Sequence, residues 1–228
     1  MNINIKARQG GFTLVEIAIV LVIIGLLLVG VLQGQEMIEN GKVKNLANNM
    51  KGVSAAYYAY QDRYQAVPGD DVLASTRFTG AVNGGGNGAI TGVYTAVAAP
   101  AVAAESNNFW QHTRMAGLLT GVATATRANP ATHSLGGLLG VQSNVSAAGA
   151  LTYGMTGPVV CAGSVPWKIA QSLDQQLDDG DSATGKVRAG AAGAANLATT
   201  AATAAAYGPA VAATAVAEGG LHTICMKL

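Results

Sequence analysis

The sequence predicts an α+β protein: one long amino-terminal helix, apolar in its first half, packed in its second half on a carboxyl-terminal antiparallel-sheet head with short extra helices. Three observations lead there. Residues 17–32 form an apolar run without a charge. Beyond it Val43, Leu46, Met50, Val53, Tyr57, Tyr60 and Tyr64 recur at steps of three and four, the spacing of one face of an α-helix. From about residue 135 onward, short apolar runs alternate with Gly and Ser, as strands and tight turns do.

The first eleven residues carry Lys6 and Arg8 and no acidic residue. The positive-inside rule therefore keeps the amino end cytoplasmic and sends the rest of the chain outward. Residues 12–32 make roughly 21 residues, or about 32 Å of helix, enough to cross the hydrocarbon core. Glu16 sits within the edge of this segment. A charge there is costly, about 2.5–3.5 kcal/mol near a bilayer centre, and usually has a partner. A new amino terminus on Phe12, created by cleavage after Gly11, would be one. Two simpler readings compete. A secretory signal peptide needs a shorter apolar region and an A-x-A-like site, to which residues 28–35 are a poor match. A plain single-pass anchor leaves Glu16 unexplained.

Gly11-Phe12-Thr13-Leu14-Val15-Glu16 behind a basic leader resembles the class III signal of type IV prepilins and type II secretion pseudopilins. The resemblance covers residues 6 to about 40. It implies a pilin-like fold, cleavage after Gly11 by a membrane-embedded prepilin peptidase, N-methylation of Phe12, and Glu16 as the assembly residue. It implies as partners identical or homologous pilin subunits and an inner-membrane assembly platform with a separate ATPase motor. The location implied is the inner membrane for a single-pass precursor with a cytoplasmic amino end, then an extracellular pilus or a periplasmic pseudopilus. Many type IV pilins carry a helix-breaking Pro where this chain has Gln33, which leans toward a pseudopilin-like or minor subunit. Gly30 and Gly34 add a small-xxx-small spacing that lets helices approach closely. The contrasting class is a membrane-anchored binding or enzymatic ectodomain, and cleavage after Gly11 separates the two.

The expected organisation is a leader over 1–11, a transmembrane or filament-core helix over 12–34, its amphipathic continuation over 35–65, and a head over 66–228. Pro68-Gly69 suits a type II turn that ends the helix, and Asp70-Asp71 follow. A subset of pilin-like proteins has a similar Pro-Gly-Asp turn. Residues 83–90, rich in Gly and Asn, look like an eroded calcium loop without its acidic ligands, with Tyr94 where the bidentate Glu would stand. Residues 105–119 read as a helix with Phe109, Trp110, Ala116 and Leu119 inward and Gly121 at its end. Residues 159–161 look like a buried strand. Residues 164–180 read as a helix with Pro166 in its first turn, Ile169, Leu173 and Leu177 on one face, and Gly180 past its end.

Asp174, Asp178, Asp179 and Asp181 crowd the end of that last helix. A calcium ion would neutralise them; a solvated acidic turn with Lys186 and Arg188 as partners is the alternative, and no metal is assigned. Residues 189–220 are Ala-, Thr- and Gly-rich and have few large side chains, so a surface insertion is expected. Residues 221–228 alternate as a final strand.

The two cysteines, Cys161 and Cys225, fall outside the cytoplasm by this topology, where disulfides persist. A bridge would close a loop of about 65 residues and contribute roughly 4 kcal/mol. Two buried free thiols are the alternative. A carboxyl-terminal disulfide is also what the pilin resemblance implies.

A net charge of +1 gives no general field for nucleic acid, and none is expected as a partner. His112, His133 and His222 are scattered, without a zinc-site spacing, a Walker loop or a G-x-S-x-G elbow. No catalytic residue, cofactor or enzymatic activity is expected.

Overall fold

The computed structural model describes residues 13–94, 104–122, 129–143, 153–190 and 220–228. Two compact units, Met1–Gly41 and Lys42–Leu228, are taken in turn. Helix α1, Leu14–Tyr64, begins in the first and ends in the second. In the first unit it exposes every side chain from Leu14 to Asn40. This part of α1 is long and apolar enough to cross a membrane. Gly25, Gly30 and Gly34 have nothing within 4 Å of where a Cβ would stand.

In the second unit, α1 buries Val43, Leu46, Met50, Val53, Tyr57 and Tyr60 of the stripe that the spacing predicts, with Ala47 and Ala56 between them, while Tyr64 at its end is half-buried. Val43 to Tyr57 share one hydrophobic core with Val141, Val160 and Ile224 of the sheet. Each fully buried Leu, Met or Val contributes roughly 1.5–3 kcal/mol, so the stripe is a principal source of this packing energy. The helix stops before the predicted turn. Gln65 adopts a left-handed φ of 52° and donates its N–H to the Gln61 carbonyl at 2.8 Å. The Pro-Gly turn follows, closed by the Asp70 N–H on the Val67 carbonyl at 3.1 Å. Gly69 has a φ of 98°, and a Cβ there would stand 2.6 Å from the Glu105 carbonyl oxygen. The position needs glycine both for the type II turn and for the close approach of α3.

After the short α2, Ala74–Arg77, comes α3, Glu105–Met115. It is shorter than the sequence predicts. Gly117, with a φ of 72°, ends it rather than Gly121, and Ala116 is its C-cap and only partly buried. Among the described residues, five strands form one antiparallel sheet: β1 Ala131–Thr132, β2 Leu138–Ser143, β3 Pro158–Pro166, β4 Val187–Ala189 and β5 Leu221–Lys227. Their order is β1-β2-β3-β5-β4, so the final strand lies inside the sheet, between β3 and β4. β2 and β3 are buried at successive rather than alternate positions, because both of their faces are covered.

The helix expected over 164–180 is α4, Trp167–Leu177, and Ile169 and Leu173 enter the core as predicted. Its start falls later than expected because Val165 and Pro166 pair with His222 and Leu221 of β5. Ser164 is used in a bulge of β3, with a φ of 57°. Pairing across the sheet thus overrides the local preference of Pro166 for a first helical turn. Ala189 closes β4, and residues 191–219 of the expected insertion lie outside the described residues.

Candidate processing and assembly site

Glu16 is held at the very start of α1. The Thr13 N–H and Thr13 hydroxyl both donate to Glu16 Oε2, each at 2.8 Å. The Glu16 N–H donates back to Thr13 Oγ1 at 3.3 Å. This is a capping box: Thr13 is the N-cap and Glu16 the third helical residue. The spacing T-x-x-E shows it in the sequence, where the reading of Glu16 as an assembly residue passed over it. The carboxylate also complements the positive end of the helix. Gly11 and Phe12 lie outside the described residues.

With this geometry, residues 6–32 match the family model described as the prokaryotic N-terminal methylation motif. The chain carries the prepilin signal of type IV pilins and pseudopilins. Its apolar helix and five-stranded antiparallel head make an α+β, pilin-like fold. No curated protein and no solved structure matches the chain.

The head is joined to the end of α1 by a polar hub at residues 69–71. Asp70, buried, accepts the N–H groups of Gly86 at 2.5 Å, Asn87 at 3.1 Å and Gly88 at 2.6 Å. Glu105 at the start of α3 accepts the Gly85 N–H at 2.7 Å, the Thr91 N–H at 2.8 Å and the Thr91 hydroxyl at 2.6 Å. The loop that resembles an eroded calcium site is therefore a nest of N–H donors around two carboxylates of this chain. The two kinds of loop share a composition, because both need glycine for close backbone approach. Tyr94 serves neither: its ring is buried and its hydroxyl lies 3.3 Å from Thr223 Oγ1.

Asp71 accepts the Tyr60 hydroxyl at 2.7 Å and the Leu73 N–H at 2.9 Å, and pairs with Arg77. Burial works to raise its carboxyl, but these three donors together hold it below the ordinary aspartate value. Burial, with the bond to Asp71, pushes the Tyr60 phenol well up; burial likewise raises Tyr57, to about 12.

The acidic residues after α4 are only partly gathered. Oxygens of Asp174, Asp178 and Asp179 lie within 4.8 Å of one another, while Asp181 stands outside that group. The turn satisfies them with its own donors. Asp178 accepts the Lys186 and Val187 N–H groups, Asp179 the Asp181 N–H and Thr184 hydroxyl, and Asp181 the Ala183 N–H. These bonds engage the half-buried Asp178 and the exposed Asp179 and Asp181. Lys186 contributes its backbone rather than its ammonium, and the Arg188 guanidinium turns to the Tyr153 and Gly185 carbonyls.

Cys161 and Cys225 are joined in a disulfide, which removes the alternative of free thiols. They stand directly opposite each other on β3 and β5, buried beside Tyr94, Tyr153, Met155 and Val159.

Proposed function

We propose that this chain is the structural subunit of a type IV pilus-like filament, cut after Gly11, methylated on Phe12 and polymerised through its amino-terminal helix. The match of residues 6–32 to the methylation motif carries this reading. The chain's work is then mechanical: it binds other subunits, and a separate motor supplies energy. It has no enzymatic role of its own. The fully exposed apolar face of residues 14–32 is stable only in lipid or against other subunits. The second reading is a pseudopilin of a type II secretion system. It is favoured by Gln33 and by the unbroken course of α1 through Gly30 and Gly34.

Two outcomes are expected. Mass spectrometry of the amino-terminal peptide from the exported protein should show methylated Phe12; an intact Met1, or a start beyond Leu32, overturns the processing. Glu16→Ala and Glu16→Gln should both insert and be cleaved yet fail to assemble. In the filament, Glu16 would pair with the charged amine of a neighbouring Phe12, an amine that methylation leaves charged. An amine left buried without it costs about 3–5 kcal/mol, or more than 100-fold in subunit addition. The pair of variants separates assembly from capping. Gln can still serve a capping box, whereas it cannot neutralise an amine. Wild-type filament yield from Glu16→Gln would refute the charge pairing.

A further inference from the structure

The His112 ring is fully buried and bonded at both nitrogens to backbone from distant parts of the chain. The Gly69 N–H donates to Nδ1 at 2.9 Å, and Nε2 lies 2.7 Å from the Val82 carbonyl oxygen. One protonation state satisfies both contacts: Nδ1 bare as the acceptor, and Nε2 carrying the proton. A second proton can go only to Nδ1, where it would point at the Gly69 N–H. Two donors would then face each other in a site closed to water, and one must leave. The ring also stacks on Tyr60, with centroids 6.1 Å apart and planes 19° from parallel. It thereby ties the end of α1, the Pro-Gly turn and residue 82 to α3.

We propose that His112 is an acid-released latch: protonation at Nδ1 expels the Gly69 N–H and loosens the Pro-Gly turn at residues 68–70 from α3, while β3 and β5 stay paired through their disulfide. The groups facing the ring set where this happens. They are Tyr60 from α1, Asp71 from the turn, Arg77 from α2 and Glu105 on α3 itself. Burial opposes the cation most strongly, and Arg77 adds to it. The Val82 carbonyl on Nε2 favours the cation, and Asp71 and Glu105 do so more weakly, their carboxylates being already engaged by Tyr60 and Arg77 and by Gly85 and Thr91. The ring is therefore held below the ordinary histidine value of 6.5. Stability from the latch is complete above that value and is lost as pH falls from it toward the lower folded one. Over that window the opening equilibrium should rise by up to about tenfold per pH unit, the slope of one proton. Asp71 loses its charge only below the ordinary aspartate value, whereas the His112 response begins at the ordinary histidine value of 6.5.

The test is NMR on the full chain in detergent micelles, with labelled histidine and amide hydrogen exchange, from neutral pH downward. His133 has a similar two-sided arrangement, with the Leu135 N–H on Nδ1 at 3.2 Å and Nε2 at 2.7 Å from the Gly163 carbonyl, so the readout must be residue-specific. The latch requires that His112 be neutral with its proton on Nε2 at pH 7.5. It also requires that the Gly69 amide lose protection as the ring titrates, after correction for intrinsic exchange, while Val160 and Ile224 stay protected. A ring that stays neutral until the whole head unfolds overturns the proposal. So does a ring that titrates while Gly69 keeps its protection. In His112→Gln, if folded, the acid-dependent opening at Gly69 should vanish, and its persistence would be equally fatal. If that variant does not fold, the wild-type titration decides alone.

Discussion

Asp71→Ala is expected to destabilise the head by about 3–5 kcal/mol, the cost of removing one partner from a buried, hydrogen-bonded charge pair. Asp71 is 2% exposed and Tyr60 is fully buried. Its loss strands the buried Tyr60 hydroxyl and leaves Arg77 without its anion. The damage falls where α1 hands the chain to the rest of the head, because the same turn carries the Gly69 bond to His112 and the Asp70 bonds to the 86–88 loop. Asp71→Asn should cost less, since its carbonyl can still accept from Tyr60. The sign of the pH response follows from the depressed folded value: the contribution of Asp71 is full above the ordinary aspartate value near 3.8 and fades as pH falls below it. Urea unfolding of the full chain in a non-denaturing detergent, followed by circular dichroism at neutral and acid pH, gives both numbers. An unchanged midpoint in Asp71→Ala at neutral pH would show that the hub is decoration.

The parts of the head that could be read in advance are those built on periodicity. The 43–60 stripe, the Ile169 and Leu173 face of α4, and the final strand that carries Cys225 each declare themselves within a short local stretch. What escaped is built on contacts between distant segments. α3 reads as mostly polar, yet Ser106, Asn107, Asn108, Gln111, His112 and Thr113 are all buried. Their role is visible only with the loop in place. Gln111 accepts the Val82 N–H at 2.9 Å and donates to the Gly80 carbonyl, and Ser106 donates to the Val93 carbonyl at 2.9 Å. A loop wrapped around a helix must find partners for its backbone, and α3 supplies them from its side chains. β1 and β4, of two and three residues, are too short to show an alternation at all.

The amino-terminal motif was legible for a different reason. Its signal is a local string, and local strings carry both chemistry and geometry. Thr13 to Glu16 holds the capping box and the motif together, so one carboxylate serves the helix start within its own chain and belongs to the matched motif. The hub at 69–71 had half of its signal in the sequence, the Pro-Gly turn. The other half, the Asn- and Gly-rich nest that closes on Asp70, lies 16 to 18 residues downstream. Nothing in the nest itself says whether a cation or a carboxylate belongs in relation to it until the ring of N–H donors is seen to point inward.

Cys225→Ser should lower the stability of the head by about 4 kcal/mol, by the loop-entropy model for a bridge between residues 64 apart in sequence. The location of the bridge makes the loss cooperative. β5 is an inner strand: it hydrogen-bonds to β3 on one side and β4 on the other, so its release breaks two strand pairings at once and leaves β4 with no partner in the sheet. The disulfide stands in the middle of that strand, opposite Cys161, in a buried cluster with Tyr94 and Tyr153. Serine at 225 would leave a hydroxyl there and a thiol at 161, neither with a partner supplied by the other. Between β4 and β5 the chain runs through the Ala-, Thr- and Gly-rich residues 191–219, whose composition offers little apolar area for holding the strand in place. Protease cleavage within 189–220 should therefore rise sharply in Cys225→Ser, and subunit abundance should fall. The apolar half of α1 should still insert in the membrane, since a helix satisfies its own backbone hydrogen bonds in lipid. Alkylation without reductant, followed by intact mass, checks the premise in the wild-type chain. Two alkylated cysteines, or an undiminished resistance to protease in the variant, would mean that pairing with β3 and β4 alone suffices to hold the last strand.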